Sequence, residues 1–117
     1  MKELVAPPAS VPSWTFLTNH AHVLVCLARD REIRLAEVAR RVGIGERAVH
    51  SIVKDLVDAG YVRRTRRGSH NVYEVFLELP LRHPLESAHR LVEILGPLAG
   101  TGTGTDAGTG AGIDADQ

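Results

Sequence analysis

The sequence has little cysteine, few aromatic residues and no net charge. Its single cysteine, Cys26, cannot form an internal disulfide, and it lies in the apolar run HVLVCLA, where a free cysteine usually behaves as a small buried hydrophobe. No apolar run approaches the roughly 18 residues that a membrane-spanning helix needs, and the N-terminus lacks the basic-then-apolar layout of a signal peptide. These absences predict a cytoplasmic protein without disulfides.

Enzyme signatures are also missing from the sequence, which has no P-loop, no Gly-x-Ser-x-Gly and no His-Glu-x-x-His. Four histidines, His20, His22, His83 and His89, suggest metal sensing. However, there is no Cys-x-Cys, no His-x-x-x-His and no nearby carboxylate pair at metal-ligand spacing. We therefore expect a protein that is not an enzyme and that holds no cofactor and no metal.

The zero net charge hides an uneven distribution, which matters more than the total for a binding surface. From Arg29 to Glu74 there are eleven basic and seven acidic residues, an excess of four positive charges. The length of 117 residues fits one domain, and the 44% hydrophobic content, mostly Leu, Val and Ala, favours an ordinary globular domain rich in helix.

Three helices are predicted in the first half of the chain. Thr18 and Asn19 are favourable N-caps before the first helix, and Gly43 and Gly60 are suited to end the second and the third. Apolar residues recur at helical spacing within each segment. The predicted helices cover residues 20–29, 36–42 and 46–59.

Strands are predicted on both sides of the second and third helices. The segment REIRL, residues 31–35, alternates apolar and charged side chains and predicts one short strand. The segments YVRRT and NVYEVFLEL are rich in β-branched and aromatic residues, and RRGSH between them favours a turn. Residues 61–77 are therefore predicted to form a hairpin with an arginine-rich tip.

The two ends of the chain differ in composition from its middle. Prolines at positions 7, 8 and 12 predict an extended arm over 1–13. A last helix is predicted over 84–95, with Pro84 in its first turn, and the Gly/Thr-rich segment 99–117 is predicted to be disordered. Residues 14–79 would then form the main domain, and the C-terminal helix segment, 80–98, is expected to serve in dimerisation.

The order helix, strand, helix, turn, helix, hairpin, carried by IRLAEVARRVGIGERAVHSIVKDLVDAGYVRRTRRGSHNVYEV, resembles the winged-helix DNA-binding core of bacterial regulators of the MarR and ArsR type. The resemblance covers residues 14–95, and its most specific part is EVARRVGIGERAVHSIVKDLVDAGYV. It implies an α+β, mostly helical fold: a winged helix-turn-helix with a three-stranded small sheet and an added C-terminal helix. It also implies a transcriptional regulator, often a repressor, that binds double-stranded DNA sequence-specifically.

In this family the third helix lies in the DNA major groove and the hairpin, or wing, contacts the backbone or the minor groove. Among the implied contacts, Arg47 is suited to bond guanine in a bidentate manner and Lys54 to meet phosphate. Gly68 would let the wing turn tightly. Carried over position by position, the expected DNA-binding residues are Arg47, His50, Ser51 and Lys54 on the helix and Arg64, Arg66, Arg67 and His70 on the wing.

Two positions depart from the family pattern. Gly45 occupies the N-cap of the third helix, where related sequences generally have Ser or Thr, and glycine there should cost only about a few tenths of a kcal/mol. Val72 stands where a basic wing residue is often found, so the second wing strand is expected to contribute less to binding. Polar residues on one helix face, or arginines on an exposed strand, would also suit a solvated surface or an edge protected from aggregation.

A homodimer is expected, because a core of this size is marginal and a two-fold dimer would place two reading helices about one DNA turn apart. Two alternatives remain open at this stage. The winged helix could serve as a protein-interaction module without a direct DNA role. It could also sense a small molecule between the first and the last helix.

Overall fold

The computed structural model describes residues 11–100, so most of the arm predicted over 1–13 and most of the tail predicted over 99–117 lie outside the described residues. The predicted winged helix-turn-helix is confirmed. The elements, in chain order, are α1 (Asn19–Arg29), α2 (Leu35–Val42), α3 (Glu46–Asp58), β1 (Val62–Arg67), β2 (His70–Val75) and α4 (Leu91–Ala99).

The first helix begins at the predicted cap. The hydroxyl of Thr18 accepts a hydrogen bond from the backbone N–H of Ala21 over 3.4 Å, which satisfies one of the amides that a helix start leaves without a partner. Val23, Leu24 and Leu27 are buried along one side of α1. This side packs on α2, α3, β2 and α4, so α1 lies at the centre of the core.

The helix-turn-helix follows from two glycines and an apolar stripe. Gly43 ends α2 in the left-handed conformation, with φ of 87°, where a side chain would be strained. Ile44 is half-buried in the turn, and α3 then begins after Gly45. The core face of α3 consists of Val49, Ile52, Val53 and Leu56, all buried as their spacing predicted.

The wing is a regular antiparallel hairpin. Its register pairs Val62 with Val75 at the base and Arg67 with His70 at the tip. Only Gly68 and Ser69 join the strands, and a two-residue connection of this kind needs positive φ at its first position. Gly68 meets that need with φ of 61°, so the tight turn predicted there is confirmed.

The predicted third strand is wrong: among residues 11–100 the sheet has two strands. The segment 31–35 makes one ladder-like bond to β2, from the N–H of Tyr73 to the oxygen of Arg31 over 2.8 Å. A local turn competes with further pairing, because the carboxylate of Asp30 accepts from the N–H of Glu32 and the oxygen of Asp30 accepts from the N–H of Ile33. Ile33 is nevertheless buried in the core.

The last helix lies later than predicted, over Leu91–Ala99 instead of 84–95. The chain first folds back on itself, so that residues 77–81 pair with residues 89–92: Leu77 oxygen accepts from Val92 N–H over 2.8 Å and Leu79 oxygen from Leu91 N–H over 2.9 Å. These acceptors satisfy amides at the start of the helix. Residues 82–88 therefore form a loop, and Leu85, which lies within the helix predicted over 84–95, is 89% exposed.

The helix also continues through Pro97, which removes one backbone donor, and ends at Gly100 in the left-handed conformation. Leu91, Leu95 and Ala99 are buried, and α4 packs on α1. Within residues 11–100, no helix has both the length and the apolar character that a membrane crossing requires.

Candidate nucleic-acid interface

The outer face of α3 carries the four side chains predicted to read DNA. Arg47, His50, Ser51 and Lys54 are all exposed. Their spacing of three and four residues places them on one side of the helix, opposite the buried stripe. The face is therefore polar, continuous and free of large apolar side chains, and a major groove of DNA admits an α-helix.

These side chains differ in how they are held. The ammonium of Lys54 lies 2.7 Å from a carboxylate oxygen of Asp58, and this hydrogen bond raises the pKa of Lys54. His50 Nε2 lies 3.6 Å from Glu46 Oε2. Within residues 11–100, Arg47 makes no ion pair and no side-chain hydrogen bond. The other charged side chains of α3 each lie near an oppositely charged or titratable partner in this range.

The register of the wing divides its basic residues between two faces. Side chains of paired residues lie on the same side of a hairpin, and successive residues alternate. Arg64, opposite Tyr73, and Arg66, opposite Asn71, therefore share the face that continues the core side of the sheet. Arg67 lies on the other face beside His70.

Arg64, Arg66 and Arg67 are exposed and have no ion-pair or hydrogen-bond partner in the described part of the chain. His70 is half-buried, and its Nε2 lies 3.2 Å from Glu32 Oε1. Arg63, at the base, is held by Glu74 over 3.2 Å and lies over the ring of Phe76 at 5.3 Å. The free arginines of the wing are thus concentrated toward its tip.

A cleft of about 300 Å³ lies where the wing meets the N-terminal ends of α2 and α3. Three of the predicted residues, His50, Arg66 and His70, line it together, whereas the other five do not. The sequence reasoning missed the rest of its polar lining. These further residues are Glu32, Arg34, Glu46, Ser69 and Asn71.

Arg34 is the strongest of the missed residues, because it is exposed and has no side-chain partner within 11–100. The alternation in REIRL already placed it on the outward side of that segment. The proximity of this segment to the wing tip depends on the bond between Arg31 and Tyr73, which local sequence does not reveal.

Two basic residues of the same region share one carboxylate within their own helix. Arg40 and Arg41 both donate to the carboxylate of Glu37, Arg41 Nε at 2.8 Å. These hydrogen bonds, from Arg40 first and then Arg41, lower the pKa of Glu37 to about 2. The positive charge at the end of α2 is thereby partly balanced and contributes less to the surface than the sequence count indicates.

The two departures from the family pattern have different outcomes. Gly45 is the N-cap of α3, as predicted, and no side chain caps the helix there. Val72 is 6% exposed, so it is enclosed by the fold and does not belong to the outer surface of the wing. The described residues contain no group of three or more His, Cys, Asp or Glu side chains arranged to hold a metal ion.

Comparison with known families gives one similarity, which lies in the winged helix-turn-helix. The model of the MarR family, MarR_2, matches residues 15–70, just under half of the chain, from the segment before α1 to the tip of the wing. Residues 15–70 are therefore similar to the sequences that the MarR family model describes. A search of curated protein sequences gives no match.

Eleven chains of solved structures match this chain. One of them is described as the crystal structure of the zinc-dependent MarR family transcriptional regulator AdcR in the Zn(II)-bound state. The identity is 24%, the match covers 56% of this chain and 47% of that chain, and the TM-score is 0.41. The chain thus spans about half the length of that regulator.

Proposed function

We propose that the protein is a sequence-specific regulator that binds double-stranded DNA, with α3 in the major groove and the wing on the backbone or in the minor groove. The observation that supports this most directly is the meeting of two elements at one cleft, since His50 of α3 and Arg66 of the wing both line it. DNA lying along α3 would therefore also touch the wing. A merely solvated helix face would not need an arginine-bearing hairpin beside it.

In this proposal the role of each residue depends on whether its side chain already has a partner within the protein. Arg47, without an internal partner, reads a base, with guanine as the natural target of a guanidinium. Ser51 and His50 contact bases or phosphates. Lys54, Arg64, Arg66, Arg67 and His70 meet phosphates, and Lys54 exchanges its bond to Asp58 for one to DNA.

The direct test is recovery of bound DNA from a random-sequence library, followed by footprinting of the selected duplex. Arg47→Ala should weaken binding to the selected duplex by about 1–3 kcal/mol and relax the preference at one base pair. The triple variant Arg47→Ala, Arg66→Ala, Arg67→Ala should also reduce the salt dependence. Unchanged affinity and unchanged salt dependence in the triple variant would refute the DNA role.

We further propose that the regulator acts as a homodimer and represses transcription. Support for a dimer comes from apolar surface near α4: Phe16 is 92% exposed and packs edge-on against Trp14, at 5.1 Å between ring centroids. Leu98 of α4 and Val11 line an adjacent apolar groove of about 480 Å³. A second copy that covers this surface would remove large hydrophobic side chains from water.

Repression requires that the operator overlap a promoter, so a reporter placed behind the selected duplex tests it. Expression should rise when the gene for this regulator is deleted. A symmetric footprint with half-sites separated by about 34 Å would support the dimer.

A ligand-responsive regulator is the second candidate, because a small cleft separates α1 from α4. It has a volume of about 180 Å³ and is lined by Leu24, Leu91 and Leu95 with His20 and Arg82 at its polar edge. Typical small-molecule sites are larger, at about 300–1,000 Å³. A thermal-shift screen with small hydrophobic acids tests this idea.

A stable complex with an acidic protein, without retention of DNA at low salt, would favour the protein-interaction alternative.

A further inference from the structure

The cleft between the wing and the N-terminal ends of α2 and α3 has a charge that depends on two imidazoles. Its permanent charges are the guanidiniums of Arg34 and Arg66 and the carboxylates of Glu32 and Glu46, which cancel. The imidazoles of His50 and His70 also line the cleft. The cleft is thus neutral overall when both imidazoles are neutral and doubly positive when both are protonated.

Each imidazole lies near one of the carboxylates. His70 Nε2 is 3.2 Å from Glu32 Oε1, and His50 Nε2 is 3.6 Å from Glu46 Oε2. A protonated imidazole would therefore cancel the negative charge of a carboxylate that otherwise repels a phosphate.

Other charged groups also lie near the two histidines. Arg67 lies beside His70 across the strand pair, while Arg47 and Lys54 are the neighbours of His50 along α3, Lys54 being held by Asp58. All three are cations, so the carboxylates that oppose an anion in this region are Glu32 and Glu46.

We propose that this cleft is a proton-dependent site for a phosphate of the DNA backbone, in which Arg34 and Arg66 bind the phosphate and protonated His50 and His70 offset Glu46 and Glu32. The inference rests on the proposed DNA-binding function and deepens it. Guanidinium groups bind phosphate oxygens through charge-assisted, often bidentate hydrogen bonds, and histidine changes charge between about pH 5 and 8.

Arg34 is available for this role without loss of an internal contact. Its backbone forms the N-cap of α2, and its carbonyl oxygen accepts from the N–H groups of Glu37, over 2.9 Å, and Val38, over 3.1 Å. Its side chain has no partner within 11–100. Ser69 and Asn71, on the wing side of the cleft, add neutral hydrogen-bonding groups. Replacing the Arg34 side chain therefore leaves the helix start intact.

The experiment measures binding of the full chain to a labelled duplex of random sequence, because phosphate contacts do not depend on base sequence. Affinity is measured over a range of salt concentrations at about pH 8 and about pH 5.5, on either side of the usual histidine range. We expect the slope of log affinity against log salt to steepen by about one unit at the lower pH, because one further phosphate is neutralised. Circular dichroism at both pH values shows that the fold is unchanged.

Substitutions test whether the pH dependence of the salt slope arises in the cleft. The pair His50→Gln, His70→Gln should make the slope independent of pH, and the pair Glu32→Gln, Glu46→Gln should give the steeper slope already at the higher pH. Arg34→Gln should lower the slope by about one unit at the lower pH, where the site binds its phosphate, and by less at the higher pH. The matched controls are His89→Gln, whose imidazole meets Glu93 at 2.6 Å outside the cleft, and Arg29→Gln, an exposed arginine of another groove. Neither should change the slope or its pH dependence.

The outcomes separate this inference from the function on which it rests. If the wild-type chain retains no duplex at low salt at either pH, the DNA-binding proposal fails. If it binds DNA but the two-histidine variant keeps the pH dependence, or Arg34→Gln behaves like Arg29→Gln, only the present inference is overturned. If inorganic phosphate alone shifts the NMR signals of His50 and His70 as much as the duplex does, the assignment to the DNA backbone is wrong.

Discussion

The hydroxyl of Tyr61 donates a hydrogen bond to the backbone oxygen of Pro80 over 2.6 Å, which ties the residue before β1 to the segment that leads to α4. Tyr61 is buried, so its hydroxyl depends on this one partner. Tyr73 is even more deeply buried, but its hydroxyl has no hydrogen-bond partner among residues 11–100. The two tyrosines of the chain thus form a natural pair for comparison.

We expect Tyr61→Phe to lower the free energy of unfolding by about 1 kcal/mol, because it removes a hydrogen bond to a backbone oxygen. Tyr73→Phe should leave stability unchanged or raise it, since a phenyl ring fills the same space without an unsatisfied hydroxyl. Urea unfolding followed by circular dichroism gives both values. Equal destabilisation by the two changes would contradict this assignment.

Gly45→Ser should stabilise α3 by about a few tenths of a kcal/mol by supplying a capping oxygen for the first turn. Gly45 has an ordinary φ of −71°, and a Cβ atom at this position would meet no other part of the chain within 4 Å, so a serine fits there. Gly43→Ala is the opposite control, because the φ of 87° strains an alanine and should cost about 1 kcal/mol. Thermal unfolding measures both changes, and a destabilised serine variant would disprove the capping argument.

The pKa of Glu37 is lowered to about 2 by Arg40 and Arg41, which predicts that the ionised carboxylate adds to the free energy of unfolding and that acid removes this contribution. Because the folded-state pKa is depressed, this contribution is present above the usual carboxyl pKa of about 4.5 and is lost as the pH falls through about 2. Glu37→Gln should therefore flatten the fall in unfolding free energy between these pH values. Glu78→Gln, an exposed glutamate without an ion pair in the described residues, should leave the profile as in the wild type.

Arg64→Ala and Arg66→Ala should each lower the salt slope of DNA binding by about one unit without changing stability, since neither guanidinium has an internal partner within 11–100. Arg63→Ala serves as the comparison, because Arg63 is held by Glu74 and lies over Phe76. Its loss should affect unfolding more than the salt slope. An unchanged slope in the Arg64 and Arg66 variants would remove the wing from the proposed interface.

Phe16→Glu combined with Leu98→Glu should convert the proposed dimer into a monomer, because both charges would be placed in its apolar contact. Sedimentation velocity measures the change in mass. Leu85→Glu is the control, since Leu85 is as exposed as Phe16 but lies on the loop 82–88. A wild-type chain that sediments as a monomer at all concentrations would contradict the dimer.

Most of the fold could be predicted from local patterns, and the errors lie where tertiary contacts overrule them. The stripe of Val49, Ile52, Val53 and Leu56 and the two-residue turn at Gly68 depend on spacing and backbone geometry alone, which a sequence displays directly. The late start of α4 depends on pairing between residues 77–81 and 89–92, which no periodicity indicates.

The candidate interface likewise has one part that local sequence predicts and one part that depends on tertiary contacts. The outward face of α3 could be read from its periodicity, whereas the cleft could not, since it joins Glu32 to His70 and Arg34 to Arg66 across more than thirty residues of chain.

The backbone pairing between residues 77–81 and 89–92, which precedes α4, also connects this helix to the wing. Only Phe76 stands between the last residue of β2 and Leu77, and the oxygen of Leu77 holds the N–H of Val92 in the first turn of α4. The N–H of Phe76 is itself held by the oxygen of Tyr61 just before β1. Backbone hydrogen bonds therefore connect the base of the wing directly to the start of α4. A displacement of α4 would therefore act on the base of the wing through these hydrogen bonds, whereas α4 makes no direct contact with α3 in the described residues.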